Sequence, residues 1–125
     1  MFMYITMISF KERLSLKERK RQSDVVLRKH PDRIPIIVER DATNTQIPRI
    51  DRCKYLVPKD FSMGQLLYVV RKRIKLAPEQ ALFFFVGNSL AATSALLSEL
   101  YETHKDADNF LYVSYCGENA FGSDQ

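Results

Sequence analysis

Few residues in this chain have a type and spacing suited to covalent chemistry. Cys53 and Cys116 stand 63 positions apart, so they form no C-x-x-C zinc or redox pair. A cysteine nucleophile needs an activated thiolate, and neither thiol has a local base. Both read as buried or incidental. His30 and His104 are the only histidines, too few for a metal centre on their own. His30 precedes Pro31 and reads as a helix terminator. Gly64, Gly87, Gly117 and Gly122 are isolated and build no phosphate-cradling loop. Arg71-Lys72-Arg73 is a basic run of the sort that meets nucleic acid. It falls at the end of an expected helix, where cations suit the dipole, and reads as a solvated face. These residues point to no catalytic site, no metal and no nucleic-acid partner.

The bulk properties agree. The 125 residues fit one domain. Apolar residues at 46% and charged residues at 27% exclude a disordered or collagen-like chain. The longest apolar run, Ala81 to Gly87, is far short of the ~20 residues of a membrane span. The net charge of +4 is unevenly placed. Lys11–Arg33 carries nine basic and four acidic residues, a local +5, whereas Glu99–Gln125 carries one basic and six acidic, a local −5. Such asymmetry suits a protein that orients on charged partners, with an effect on encounter rate that fades with salt. Met1–Ile8 is apolar, but no basic residue precedes it and no small-residue cleavage site follows. It reads as a flexible or non-native extension rather than a secretory signal.

The elements that would position a surface are legible in the periodicity. Residues 9–30 read as one or two short basic helices, with Leu14 and Leu16 as the apolar side of the first and Val25, Val26 and Leu27 of the second. Ile34–Val38 and Cys53–Val57 are short and rich in strand formers. Asp41–Gln46 is a polar turn between them. Ser62-Met63-Gly64-Gln65 matches a capping box, with Phe61 and Leu66 placed for a hydrophobic staple. The helix it opens runs to about Leu76, with Leu66, Val69, Val70 and Ile74 on one face. Ala81–Val86 reads as a buried strand, Thr93 as the start of another helix, and Phe110–Tyr115 as a final strand. The order strand, strand, helix, strand, helix, strand fits an α+β, ubiquitin-like β-grasp with a four-stranded mixed sheet and two additional amino-terminal helices. The chain divides into an extension at 1–8, a helical subdomain at 9–30, the core at 31–116 and a flexible tail at 117–125.

One pattern says where the extra helices go. Side chains alternate along a strand, yet Ile34, Ile36 and Val38 face Pro35 and Ile37 across the first strand, and all five are apolar. The last strand is apolar both ways too. A sheet covered on one face only should alternate apolar with polar. The second face is therefore covered as well, and the amino-terminal helices are the spare cover. Incomplete cover leaves an apolar groove, and grooves of that kind bind partners.

From about Phe10 to Gly122 the chain resembles the autophagy-related protein 8 family of ubiquitin-like modifiers, which includes GABARAP. The resemblance rests on His30-Pro31-Asp32-Arg33-Ile34-Pro35-Ile36-Ile37-Val38-Glu39, Asp51-Arg52-Cys53-Lys54-Tyr55-Leu56-Val57-Pro58, Val70-Arg71-Lys72-Arg73-Ile74, Ala81-Leu82-Phe83-Phe84-Phe85-Val86 and Glu118-Asn119-Ala120-Phe121-Gly122. It implies a non-enzymatic, monomeric, cytoplasmic tag that becomes anchored to autophagosomal membranes. A cysteine protease would trim the tail after Gly122, with Phe121 as an apolar grip. Activating and conjugating enzymes would then pass Gly122 to the amine of phosphatidylethanolamine, the one covalent attachment and no separate cofactor. The anchored protein would recruit cargo receptors bearing an aromatic-x-x-aliphatic motif.

The resemblance also implies two pockets. The aromatic pocket matches Val26, Pro35, Ile37, Lys54, Leu56 and Phe110. The aliphatic pocket matches Tyr55, Val57, Pro58, Phe61, Leu66 and Val69. Arg33, Arg52 and Lys54 match the basic flank that meets acidic residues around the motif. The chain departs from the family pattern at Gln22, where many members have an acid, and at Ser15, where proline is common. Phe61 and Leu66 exchange sizes with the usual Leu and Phe, Ala91-Ala92 replaces Pro-Pro, and the first turn is one residue longer than in GABARAP. An alternative from another class is an unconjugated adaptor whose basic helices link acidic surfaces, such as tubulin tails, to membrane cargo.

Overall fold

The computed structural model describes residues 8–43 and 47–117. The expected conjugation residues Phe121 and Gly122 lie outside them. Along the chain run α1 (Phe10–Arg13), α2 (Leu16–Lys29), β1 (Arg33–Arg40), β2 (Lys54–Pro58), α3 (Met63–Ile74), β3 (Phe83–Val86), β4 (Ser89–Leu90), α4 (Leu97–His104) and β5 (Leu111–Cys116). The strands form one mixed sheet in the order β2-β1-β5-β3-β4. β1 pairs antiparallel with β2 and parallel with β5, so the carboxy-terminal ends of β1 and β5 share one end of the sheet.

The sheet has five strands where four were expected. The fifth, β4, is a two-residue exposed strand that folds back on β3 across Gly87, whose φ of 63° is the left-handed geometry a tight turn requires. Two exposed residues carry no period-2 signal, which is why the sequence hid it.

The last helix starts at Leu97, not Thr93. The reason lies in the opposite end of α3. The backbone amides of Met63 and Gly64 donate to the carbonyls of Ala95 and Thr93 at 2.8 and 2.9 Å, and the Leu97 amide donates to Phe61 O at 3.0 Å. Residues 93–96 stay out of the helix, as a turn at Thr93-Ser94 and an extended Leu96, because their carbonyls satisfy the unpaired amino-terminal amides of α3. The Ser62 capping box is present: its hydroxyl accepts from the Gln65 amide at 3.2 Å, and its own amide donates to Gln65 Oε1 at 2.8 Å. α3 ends at Ile74, short of Leu76, because Lys75 takes the left-handed conformation at φ 56°. Its buried stripe is Met63, Leu66, Val70 and Ile74, while Val69 is exposed.

The two faces of β1 go to two cores. Ile34, Ile36 and Val38 join the main core with Met63, Leu66, Val70, Phe84, Leu97 and Leu111. On the other face Ile37 packs with Phe10 and Phe110, whose rings meet edge to face at 5.4 Å. α1 therefore covers the second sheet face, as the doubly apolar strand requires. Leu16, expected on the apolar side of the first helix, instead opens α2 and is exposed.

Candidate functional site

β2 is the outermost strand and bonds to one neighbour, β1. An edge strand offers backbone groups to an added strand. Beside it lies a cavity of about 160 Å³. Val26 of α2, Pro35 of β1, Lys54 and Leu56 of β2, and Phe110 line it, so five of the six residues expected for an aromatic pocket come together. The sixth, Ile37, is fully buried beneath with Phe10 and Phe110. Gln22 and Tyr55 complete the lining. Gln22 sits one helical turn before Val26, so the 3.6-residue period places both on the side of α2 that overlooks the sheet. Its carbonyl oxygen accepts from Lys54 Nζ at 3.1 Å, a neutral partner that leaves the ammonium charge uncancelled.

The second set spans a gradient of burial. Val57 and Leu66 belong to the main core, Tyr55 and Phe61 pack half-buried against it, Pro58 is half-buried, and Val69 is exposed. Tyr55, Pro58, Phe61 and Val69 keep accessible surface here, with Val57 and Leu66 serving the core behind them. Arg33, Arg52 and Lys54 are all exposed. Register sets their spacing: Arg33 sits opposite Pro58 and Lys54 opposite Ile37, so cations stand at both ends of the edge strand.

What positions α2 over this edge is a polar cluster absent from the expected site residues. Asp108 is fully buried. Its Oδ2 accepts from Arg19 Nη1 at 2.6 Å and from the Tyr112 hydroxyl at 2.5 Å, and its Oδ1 accepts from the Phe110 amide at 2.9 Å. The Ser23 hydroxyl, also buried, donates to Asp108 O at 2.6 Å. Lys11 reaches Asp106 at 2.6 Å and lies 4.6 Å over the Tyr112 ring. Burial and the Asp108 bond push the Tyr112 phenol well above its ordinary range. The signal for this cluster was the charge asymmetry itself: the basic segment and the acid pair Asp106-Ala107-Asp108 pair within one molecule. Arg19 is thus spent inside the fold, and Arg21 pairs with Glu18 at 2.6 Å. Lys17, Lys20, Arg28 and Lys29 remain exposed at the surface.

The Lys11–Asp106 contact carries a pH dependence. Burial alone would raise the Asp106 carboxyl, but the Lys11 hydrogen bond, the Asp108 amide and the charges of Lys11 and Arg19 outweigh it and hold the group below 3.8. A depressed carboxyl stabilises the fold above its unfolded value and loses that contribution as pH falls through the lower folded value. Protection of the α1 backbone amides, corrected for the slower intrinsic exchange in acid, should therefore fall below about pH 4, while amides of β1 keep theirs. Equal protection of α1 at acid and neutral pH would show that this contact does not hold the helix.

Neither thiol is activated. Burial pushes both Cys53 and Cys116 above the ordinary thiol value. Among the described residues no group of three or more His, Cys, Asp and Glu could hold a metal ion. None of the described helices is long and apolar enough to cross a membrane.

The family model described as "Autophagy protein Atg8 ubiquitin like" matches residues 18–122. Autophagy-related protein 8 of Mycosarcoma maydis is 57% identical over 114 residues, which cover 91% of this chain and 96% of that one. Autophagy-related protein 8d of Arabidopsis thaliana is 56% identical, over 91% of this chain and 94% of its own. Among solved structures, the crystal structure of Trypanosoma brucei ATG8 superposes with a TM-score of 0.84 at 40% identity, covering 89% of this chain and 95% of that chain. With that fold, that match and those relatives, this chain belongs to the autophagy-related protein 8 family of ubiquitin-like proteins.

Proposed function

We propose that this member is a membrane-conjugated tag that reads short linear motifs in cargo receptors. A processing protease exposes Gly122, activating and conjugating enzymes join it to phosphatidylethanolamine, and the anchored protein binds receptors along β2. It passes from the cytoplasm to the autophagosomal membrane and catalyses nothing itself. The observation that supports this most directly is the pairing of an outer strand with the cavity under α2. An extended peptide would add a strand to β2 and place its aromatic residue among Val26, Pro35, Lys54, Leu56 and Phe110. Three residues on, its aliphatic side chain would meet Tyr55, Pro58, Phe61 and Val69. Acidic residues beside the motif would meet Arg33, Arg52 and Lys54.

Calorimetry with an aromatic-x-x-aliphatic peptide tests the docking. Leu56→Ala empties one wall of the cavity while leaving the main core, to which Leu56 does not belong, in place. Loss of at least about 2 kcal/mol, roughly 30-fold in affinity, is expected for a central anchor contact. Unchanged affinity in a variant with an unchanged melting temperature would remove the peptide from this edge.

A further inference from the structure

A second cavity, of about 600 Å³, lies at the end of the sheet where β1 and β5 finish. Arg13 of α1, Arg40 at the end of β1 and Arg49 before β2 bring three guanidiniums to it. They have little to pair with. Among the described residues, none of the three has a carboxylate within ion-pair distance, although five other ion pairs form. Arg40 gives one Nη to the Ile47 carbonyl at 2.8 Å, and its buried Nε has no hydrogen-bond partner. Among the described residues Arg13 meets the weak acceptor sulfur of Cys53, at 3.8 Å, and the Phe10 ring. Two carboxylates, Glu39 and Asp51, do line the cavity. Asp51 takes the fork of Arg73 at 2.8 and 3.2 Å, which cancels its charge, while Glu39 accepts the neutral Phe10 amide at 2.7 Å and offsets one of the three guanidiniums. The result is a concave site with a cationic surplus and unused guanidinium donors.

The planar guanidinium fork matches the oxygens of a carboxylate or a phosphate two at a time, and three forks together offer more donors than the two oxygens of one carboxylate take up, so the set suits a phosphate group. The topology says where the phosphate comes from. Arg40 pairs with Tyr115, the Asp41 amide donates to Tyr115 O at 2.8 Å, and the buried Gly117 lies against Ile47. The chain therefore leaves β5 beside this cavity. From Gly117 to Gly122 is five residues, at most roughly 17 Å fully extended. A lipid joined to Gly122 holds the membrane surface within that reach. We infer that the Arg13–Arg40–Arg49 cavity binds the phosphate of a membrane lipid headgroup and so seats the tail-exit end of the sheet on the bilayer. This rests on the conjugation reading above and goes beyond it, since it assigns the anchored molecule an orientation: the Lys54 end of β2 lies toward the bilayer and the Pro58 end points away from it.

The test uses the full unconjugated chain, so its result is independent of whether Gly122 is lipidated. Vesicles of phosphatidylcholine with phosphatidic acid are mixed with wild type, with Arg13→Gln/Arg49→Gln, and with Arg28→Gln/Lys29→Gln. The last pair removes the same charge at the end of α2, next to the start of β1 and so at the other end of the sheet. About 30-fold weaker flotation is expected for the first variant, from two basic residues at about fivefold each. The second should stay near wild type. Amide shifts of Val38–Arg40 and Cys53 on adding the vesicles' water-soluble analogue, glycerol 3-phosphate, would support the site. Equal loss in both variants would mean general charge attraction and overturn it. Shifts with glycerol 3-phosphate but no vesicle binding by wild type would overturn the membrane source. Melting curves of both variants establish that each is folded.

Discussion

Asp108→Ala is expected to destabilise the protein by about 3–5 kcal/mol, the usual result of removing one partner from a buried ion pair. The carboxylate has no exposed surface and collects three donors: Arg19, the Tyr112 hydroxyl and the Phe110 amide. Its loss strands a guanidinium whose side chain is 11% exposed, and a half-buried phenol. Stranded groups of that kind cost the full desolvation penalty rather than the modest value of one hydrogen bond. Denaturant unfolding should show a midpoint shift of this size, and a change under about 1 kcal/mol would reduce the cluster to a surface ion pair. The damage should also be local. Arg19 and Ser23 are the contacts of α2 to the 108–112 segment. α2 supplies Gln22 and Val26 to the cavity beside β2. Peptide affinity should fall in this variant even though no ligand touches Asp108. Asp108→Asn separates charge from shape: its one oxygen can still accept from the Phe110 amide, but an NH2 donor replaces the oxygen that faces Tyr112 and Arg19, which leaves Arg19 unneutralised, so it should fall between wild type and Ala.

This division between visible and hidden contributions follows from what each signal needs. Strands β1, β2, β3 and β5 and helix α3 were legible because each has a local cause: β-branched runs, or a capping box followed by a 3.6-residue stripe. The covering of the second sheet face was legible because Pro35 and Ile37 break the alternation that one-sided burial demands. β4 was not, since Ser89 and Leu90 pair with Val86 and Phe85 through the turn at Gly87 and are exposed. The start of α4 was misplaced because Thr93 and Ala95 are claimed by amides some thirty residues earlier, a long-range contact with no local mark. The same holds for Asp108. It is a charged residue at a loop position, and only folding reveals that Arg19, 89 residues away, neutralises it. At the β2 edge the cavity followed from family-like residues in β1 and β2, whereas Leu66 and Val57 are buried in the core. An apolar residue next to a pocket and an apolar residue under it look alike in sequence. Depth alone separates them.

The largest effect expected of any single substitution is the loss of conjugation in Gly122→Ala. Gly122 stands six residues past the end of β5, at Cys116, and three before the last residue. The chemistry proposed there needs a free carboxylate at residue 122, which hydrolysis of the Gly122–Ser123 peptide bond supplies. Activation first joins that carboxylate to the nucleotidyl phosphate of a nucleoside triphosphate with release of pyrophosphate, an enzyme thiol displaces the nucleotide to give a thioester, and the amine of phosphatidylethanolamine displaces the thiol to leave an amide. Each enzyme must bring a catalytic group against the backbone at this residue. Glycine allows that approach because it has no Cβ, and a methyl group obstructs a narrow channel at the point of attack. The product carries two acyl chains, which anchor far more firmly than one and need no membrane-spanning helix. Both proteins should be incubated with the cognate protease, the activating and conjugating enzymes and vesicles, then read by intact mass. Wild type should lose Ser123-Asp124-Gln125 and gain one phosphatidylethanolamine, while the Gly122→Ala form should stay at full length. A third variant, ending at Gly122, separates the two steps: it should be lipidated without protease, and the same truncated chain carrying Gly122→Ala should not. Lipidation of either Gly122→Ala form, or none of wild type by enzymes active on a relative, would move the conjugation site away from Gly122.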